Sequence, residues 1–409
     1  MGKTNLEKCG DLYCHKGFDG FLEECSKDGV HQIGDNVAPY HVLVNGFNRN
    51  PDFLMVAFTG AVIREKKLPP YFSYMEIARN LNLGLFSIAD PSLLLSKDLG
   101  LAWYVGNKVN GNIAKILANL LDRLIEKTGR KLILCGGSGG GFAALNIQQL
   151  MVNFKDTDSV VFNPQTNVVN YNEWAVKRYF SSCFEELKNK DIESITDYFN
   201  KNKLSFIVSE NSEIKRLILI NGYDPNHVRK HVSRLIDFKN NTKTKVLFGD
   251  WGVGHVAPDR KFHLSVLRKI IEGEDSNKVG EGLEGRFKPA LMFISHKKML
   301  DEKIKIKIWE TKVAGEIVYC VQCNIFDFFM GYGIKFAIYD NLRNKLIFDS
   351  DYVLGADMDG FILKAGVDFA LRKKNFTLKV YVKDISDCLF VYDFGFFENL
   401  IGKKIKKIA

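Results

Sequence analysis

The sequence predicts an α/β domain, with a mostly parallel sheet flanked by helices, followed by a C-terminal all-β, sandwich-like domain. Three observations carry that prediction. From residue 40 to about 272, apolar strand-like runs alternate with segments of helical period, the pattern of a sheet with crossover helices. One of those runs, Lys131 to Cys135, passes through glycines around Ser138 directly into the apolar segment Phe142–Leu145. Beyond the glycine- and charge-rich stretch 272–285 the period changes to strict alternation.

Taken in order, His41–Asn45 and Phe53–Phe58 flank the turn-rich Asn48–Asp52 and read as a hairpin. Leu83–Ala89 reads as a strand, Ile113–Thr128 as an amphipathic helix, Lys131–Cys135 as the strand leading to Ser138, and Ser159–Phe162 as the next strand. Residues 172–203 are helical and charged, with no strand before Leu204. An insertion there reads as a lid over the carboxyl ends of the strands, or as an extra packing helix. Arg216–Asn221 and Thr244–Phe248 are two further strands, and a helix over about Arg260–Ile271 closes the domain. This places an α/β domain at 1–275, with an N-terminal extension at 1–39, a linker at 276–288 and the β domain at 289–409. The β domain rests on the alternation of Lys303–Trp309 and of parts of Tyr319–Ile325, Lys335–Tyr339, Leu346–Phe348 and Thr377–Val382, with a turn signal at Tyr339–Asn344.

Bulk properties bound the function. At 409 residues two domains are the natural expectation, and 46% apolar with 26% charged residues is the composition of a globular protein. No run of about 18 uncharged apolar residues exists to span a membrane. The first residues lack an apolar signal core, so a cytoplasmic location is expected. The formal charge of +9 and the basic end Lys403–Lys407 suit an acidic polymer, an anionic membrane face or a phosphorylated cofactor, or simply a solubilising surface. No nucleic-acid module is evident.

Eight cysteines in so long a chain do not suggest a disulfide framework. Cys9, Cys14, His15 and Cys25 cluster without paired Cys-x-x-Cys units, and no metal is expected. Cys320 and Cys323 do form Cys-x-x-Cys, but on a strand, where residues three apart point to opposite faces.

Gly136, Ser138 and Gly140 hold the positions of a Gly-x-Ser-x-Gly nucleophile elbow. A phosphate loop is excluded because Phe142 stands after Gly141 where its lysine should be. A serine hydroxyl needs a base and a group that orients the base. Among eight histidines, His255 lies in a glycine-rich loop at a strand end and is the best-placed base. Asp224, just past the strand 216–221, is the candidate acid; Asp250 is the main competitor and Glu210 a weaker one. His227 and His231 share a face of a predicted helix and read as structural support or substrate contact. Oxyanion donors are expected from the N–H of Gly139 and from the loop Phe58–Val62, at Gly60 or its neighbours Thr59 and Ala61. Arg64, with Lys66 and Lys67, could meet cofactor phosphates.

With these pieces in place, residues from about 40 to 272 resemble the α/β-hydrolase superfamily, and within it the bacterial O-acetyltransferases that modify capsular polysaccharides and other surface glycans. The resemblance rests on Phe58–Ala61, Ser87–Pro91 with Ala102–Gly106, Gly136–Gly140, Asn221–His227 and Gly252–Pro258, in the family's order. It implies Ser138 as nucleophile, Asp224 as acid and His255 as base, with acetyl-CoA as acyl donor and a carbohydrate hydroxyl, on an acidic glycan, as acceptor. It implies ping-pong transfer through acetyl-Ser138, peripheral to membrane-bound polysaccharide assembly machinery. Trp103 and Tyr104 are candidates to stack on a sugar or adenine ring, or else belong to the core. The alternatives are an esterase or deacetylase acting on acylated glycan, and a non-catalytic glycan-binding or assembly protein on the same fold.

Overall fold

The computed structural model describes residues 6, 9–65, 68–209, 211–221, 224, 227, 230–231, 243–249, 251–252, 254–274 and 279, together with the strands between 306 and 393. The chain divides into two compact units, Met1–Phe287 and Lys288–Ala409.

The first unit is built on a nine-stranded sheet. Its strands are β1 (Leu12–His15), β2 (Gly29–Ile33), β3 (Tyr40–Asn45), β4 (Phe53–Phe58), β5 (Gly84–Ala89), β6 (Lys131–Gly137), β7 (Thr157–Phe162), β8 (Lys215–Asn221) and β9 (Thr244–Gly249). They lie in the order β1-β2-β3-β5-β4-β6-β7-β8-β9. Only β3 runs against its neighbours; β5, β4, β6, β7, β8 and β9 are joined by parallel ladders. Leu54, Met55, Val56 and Ala57 of β4 and Leu132, Ile133 and Leu134 of β6 are completely buried, as strands covered on both faces must be.

The predicted hairpin of β3 and β4 does not form. β5 lies between them, pairing antiparallel with β3 (Val42 opposite Ile88) and parallel with β4 (Val56 opposite Phe86). The turn itself is present, since Asn50 Oδ1 accepts from the N–H groups of Asp52 and Phe53, both at 2.9 Å. Turn chemistry reports a reversal but not which strand lies alongside, and the unbroken burial of β4 is the mark of a central parallel strand.

The N-terminal extension is part of the sheet rather than an appendage. β1 pairs parallel with β2, β2 antiparallel with β3, and the helix α1 (Phe18–Glu24) between them buries Phe21 against Phe86 and His31.

Of the helices, α2 (Met75–Asn80) precedes β5, and α3 (Ile113–Thr128) covers the residues its amphipathic pattern predicts. α3 starts where Asn112 Oδ1 accepts from the Lys115 N–H at 3.0 Å and stops at Gly129, whose φ of 66° only glycine adopts freely. It buries Ile113, Leu117, Leu121 and Leu124, each contributing about 1.5–3 kcal/mol. α4 (Gly139–Gln148) is buried throughout. α5 (Glu173–Cys183) and α6 (Ile192–Lys201) fill the insertion between β7 and β8. Their aromatic residues pack together and inward: Phe180 on Phe199 at 5.2 Å, Phe199 on Phe206 at 5.1 Å and Tyr179 on Trp103 at 5.6 Å. α7 (Arg260–Ile271), capped by Asp259, inserts Phe262, Val266 and Leu267 into the core beside Met55, Leu85 and Ile133. Among the described residues no helix is long and apolar enough to cross a membrane.

The described residues of the second unit are all in β-strands. β10 (Ile306–Val313), β11 (Glu316–Cys323) and β15 (Phe361–Lys364) form one antiparallel sheet. β12 (Gly333–Asp340), β13 (Lys345–Asp349), β14 (Val353–Leu354), β16 (Phe376–Val382) and β17 (Phe390–Asp393) form another. The described parts of the alternating segments fall on these strands, residues 303–305 and 324–325 lying outside the described residues, and Cys320 and Cys323 both lie in β11.

Candidate active site

Ser138 stands between the last residue of β6 and the first of α4, with φ 54° and ψ −119°, a conformation that costs a non-glycine residue about 1–3 kcal/mol. The surroundings impose it. A β-carbon at Gly136 would lie 2.3 Å from the carbonyl carbon of Gly140, and one at Gly140 would lie 2.3 Å from Phe58 O, so neither site tolerates a side chain. The elbow is tied by Ser138 N–H to Phe162 O at 3.0 Å and by Phe142 N–H to Ser138 O at 3.0 Å.

The N–H of Gly139 opens α4, where no intrahelical acceptor exists and the helix dipole is positive. Opposite it lies the loop after β4. Thr59, a candidate oxyanion donor, is excluded, because its N–H donates to Tyr104 Oη at 2.9 Å. Val62 N–H is likewise engaged, with Gly100 O at 2.9 Å. The N–H groups of Gly60 and Ala61 remain between these two anchors, which fix the loop on either side.

Asp224 and His255 meet at the ends of β8 and β9. His255 Nδ1 lies 2.5 Å from Asp224 Oδ2, the length of a short charge-assisted hydrogen bond. Burial pushes the Asp224 carboxyl up, but the hydrogen bonds from His255 and the His227 N–H outweigh it and hold the group below the usual range. An ionised Asp224 fixes the tautomer with the proton on Nδ1 and leaves Nε2 as the basic nitrogen. The ligand atoms of Asp224, His227 and His255 lie within 4.8 Å of one another. The Asp224–His255 contact is a hydrogen bond. Asp250 and Glu210 lie outside the described residues.

Two asparagines to which the sequence assigns no role of their own hold the histidine loop. Asn221, at the end of β8, donates from Nδ2 to Gly252 O and Gly254 O, both at 2.8 Å. Asn163, just past β7, donates to Val256 O at 2.9 Å and accepts from Asn221 N–H at 2.6 Å. His227 is not a substrate contact. It is buried, its Nε2–H donates to Pro164 O at 3.0 Å, and its ring packs 4.9 Å from His231 and 5.1 Å from His255. Burial and the neighbouring His255 push its imidazole down to about 4, so it is neutral.

Gln165 is the other residue the sequence reading missed. Its Nε2 donates to Ser138 Oγ at 2.8 Å, and its Oε1 accepts from Trp103 Nε1 at 2.9 Å. Because an indole nitrogen only donates, the amide cannot be flipped, and the serine oxygen always faces an N–H. Among the described residues no hydrogen bond joins Ser138 to His255.

Trp103 and Tyr104 belong to the core. Both are fully buried with positive φ, 56° and 58°; Trp103 holds Gln165, and Tyr104 donates to Ile88 O at 2.7 Å while accepting from Thr59. Asp90 fixes this pair through Tyr104 N–H at 2.7 Å. Arg64 is committed to three neutral acceptors, Lys97 O at 3.0 Å, Ser96 O at 3.1 Å and Tyr71 Oη at 3.3 Å. It lines a cavity of about 350 Å³ with Ala61, Leu101, Tyr171, Trp174 and Arg178.

Such an assembly can form and cleave an acyl-serine. The elbow presents the oxygen, an acid–histidine pair supplies the base, and N–H groups await the oxyanion. On a mostly parallel sheet, in the order serine, acid, histidine, this is the α/β-hydrolase architecture.

No family model matches the sequence, and no curated protein matches it significantly. Among solved structures, the chain is similar to the glycosylation associate protein complex of Streptococcus agalactiae, with 16% identity and a TM-score of 0.39 over 61% of this chain and 46% of that one. It spans less than half of that protein's length. It is also similar to the capsule O-acetyltransferase of Neisseria meningitidis serogroup A, with 15% identity and a TM-score of 0.38 over 58% and 96%. A third is the hyperthermophilic esterase of Pyrobaculum calidifontis, with 13% identity and a TM-score of 0.40 over 64% and 90%.

Proposed function

We propose that this protein transfers an acyl group through Ser138, moving acetyl from acetyl-CoA to a hydroxyl of an acidic surface or capsular polysaccharide. The observation that carries the reading is the Asp224–His255 contact of 2.5 Å on the same end of the sheet as the strained Ser138 elbow. His255 Nε2 takes the Ser138 proton as Oγ attacks the thioester carbonyl. The oxyanion is received by the N–H groups of Gly139 and of Gly60 or Ala61. Collapse breaks the carbon–sulfur bond, the thiolate takes the proton from His255, and acetyl-Ser138 remains. In the second half His255 removes the proton of a sugar hydroxyl, whose oxygen takes the acetyl group, and the proton returns to Ser138. Use of acetyl-CoA places the reaction on the cytoplasmic side of the membrane.

A second reading, an esterase or deacetylase on acylated glycan, is favoured by the exposure of His255, whose side chain is 41% accessible and so open to water as the acyl acceptor. Incubation with acetyl-CoA and an acidic polysaccharide, with Ser138→Ala as control, separates the two. Thiol release that requires polysaccharide supports transfer, and acetate release from acetylated polymer supports hydrolysis. Absence of an acetyl mass increment on Ser138 with every acyl donor tried overturns covalent catalysis.

A further inference from the structure

The insertion between β7 and β8 carries two concavities that share a wall. The cavity beside the oxyanion loop ends at Trp174 and Arg178 of α5, and a larger one, about 810 Å³, begins at the same two residues and runs along α5 to the segment 187–195. The two are adjacent, lined in common by Trp174 and Arg178. The floor of the larger is apolar, formed by Phe180, Leu187 and Ile195, all buried. Trp174 stands on its margin 61% exposed, with the Arg178 guanidinium 3.8 Å from the ring centroid. A solvent-exposed indole ordered by a cation is a ready platform for the apolar face of a sugar ring.

The charges along the larger concavity are unevenly matched. Glu173 is paired with Lys177 at 2.6 Å, and Asp191 caps α6 through the Ser194 N–H at 2.7 Å. Arg178 and Lys188 form no ion pair among the described residues and Lys190 feels only the charge of its neighbour Asp191, although Glu65 and Asp98 stand at the inner end. Exposed lysines beside an aromatic platform, next to a cavity lined by Ala61, match a chain of sugar rings that carries carboxylates.

We propose that the two concavities form one groove that binds several consecutive residues of an acidic polysaccharide, stacking one ring on Trp174 and pairing its carboxylates with Lys188 and Lys190. This deepens the acyl-transfer reading by assigning the acceptor its track, and its binding step stands apart from the chemistry.

The test titrates Ser138→Ala protein with short and long oligogalacturonates at low salt, with neutral malto-oligosaccharides for comparison. Affinity rises with the length of the acidic oligomer and falls with added salt, and the neutral series does not bind. Trp174→Ala and the double variant Lys188→Glu with Lys190→Glu, all at exposed positions, each weaken the long oligomer by about tenfold. Equal affinity across lengths, no binding, indifference to these variants, or displacement of the oligomer by coenzyme A overturns the proposal. Mass analysis of the native protein after acetyl-CoA treatment, set beside oligomer binding by the Ser138→Ala protein, keeps the two readings apart. An acetyl increment on Ser138 with no oligomer binding sinks the groove alone, and oligomer binding with no increment sinks the chemistry alone.

Discussion

Gln165 Nε2 donates to Ser138 Oγ at 2.8 Å, and Trp103 fixes the direction of that amide by donating to its oxygen at 2.9 Å. The nucleophile thus has a partner that only donates, leaving its own proton for the base. The same N–H holds Oγ in one position as its proton leaves.

Replacing Gln165 with Leu removes that N–H and strands a buried indole donor. We expect acylation by an activated acetyl ester in single-turnover stopped flow to slow by about 10–100-fold. The unmatched Trp103 N–H lowers stability by about 1–3 kcal/mol in denaturant unfolding. A Gln165→Leu enzyme that acylates at the native rate would reduce Gln165 to packing.

Asp224→Asn keeps the shape of the site but removes the charge that orients His255. We expect kcat/KM to fall by about 10³–10⁴-fold with little change in KM, the behaviour of an orienting acid. A loss within a few fold would move that role to another carboxylate, Asp250 first.

Gly140→Ala places a methyl group 2.3 Å from Phe58 O and 3.0 Å from Thr59 C, against backbone that cannot swing aside. The clash falls on the strand leading into the oxyanion loop. We expect a loss of about 1–3 kcal/mol and a larger fall in kcat than in substrate affinity, read by thermal unfolding and steady-state kinetics.

His41, His227 and His263 are buried, and burial holds each imidazole near 4. In the unfolded chain they return to about 6.5 and bind protons the folded state refuses. Their contribution to stability is complete above about pH 6.5 and is lost as pH falls toward 4. Asp90 acts oppositely: burial raises its carboxyl to about 6, so it favours folding at low pH and that contribution disappears as pH rises through 6. Three imidazoles outweigh one carboxyl, and Tm is expected to drop between pH 6.5 and 4.5. In Asp90→Asn the opposing contribution is gone and the drop steepens; an unchanged slope would show that Asp90 titrates near its ordinary value.

The elements that the sequence displays are those whose burial is periodic. Ile113–Thr128 carries its own cap, stripe and glycine stop, and the structure ends the helix at the same residues. Ser138, Asp224 and His255 were visible because an elbow needs glycines and the acid and base follow strand ends. The pairing of β3 with β5 was not visible, since register across an intervening crossover is settled by packing far along the chain. Gln165 was hidden for a related reason. Nothing in Asn163-Pro-Gln-Thr166 marks a glutamine that matters, because its importance comes from Trp103, which is 62 residues away. Asn163 and Asn221 resemble ordinary loop residues until their carbonyl acceptors are known.

Trp103 also touches Tyr171 and Tyr179 of the insertion, at 5.7 Å and 5.6 Å between ring centroids, and Tyr179 is bonded to Gly106 O at 2.6 Å. Outer helix, indole, amide and serine oxygen are thus links in one train. α5 cannot be levered outward without tugging the indole, and the indole cannot move without loosening the amide that sets the serine. The outer helix is thus joined to the Ser138 oxygen by an unbroken run of contacts.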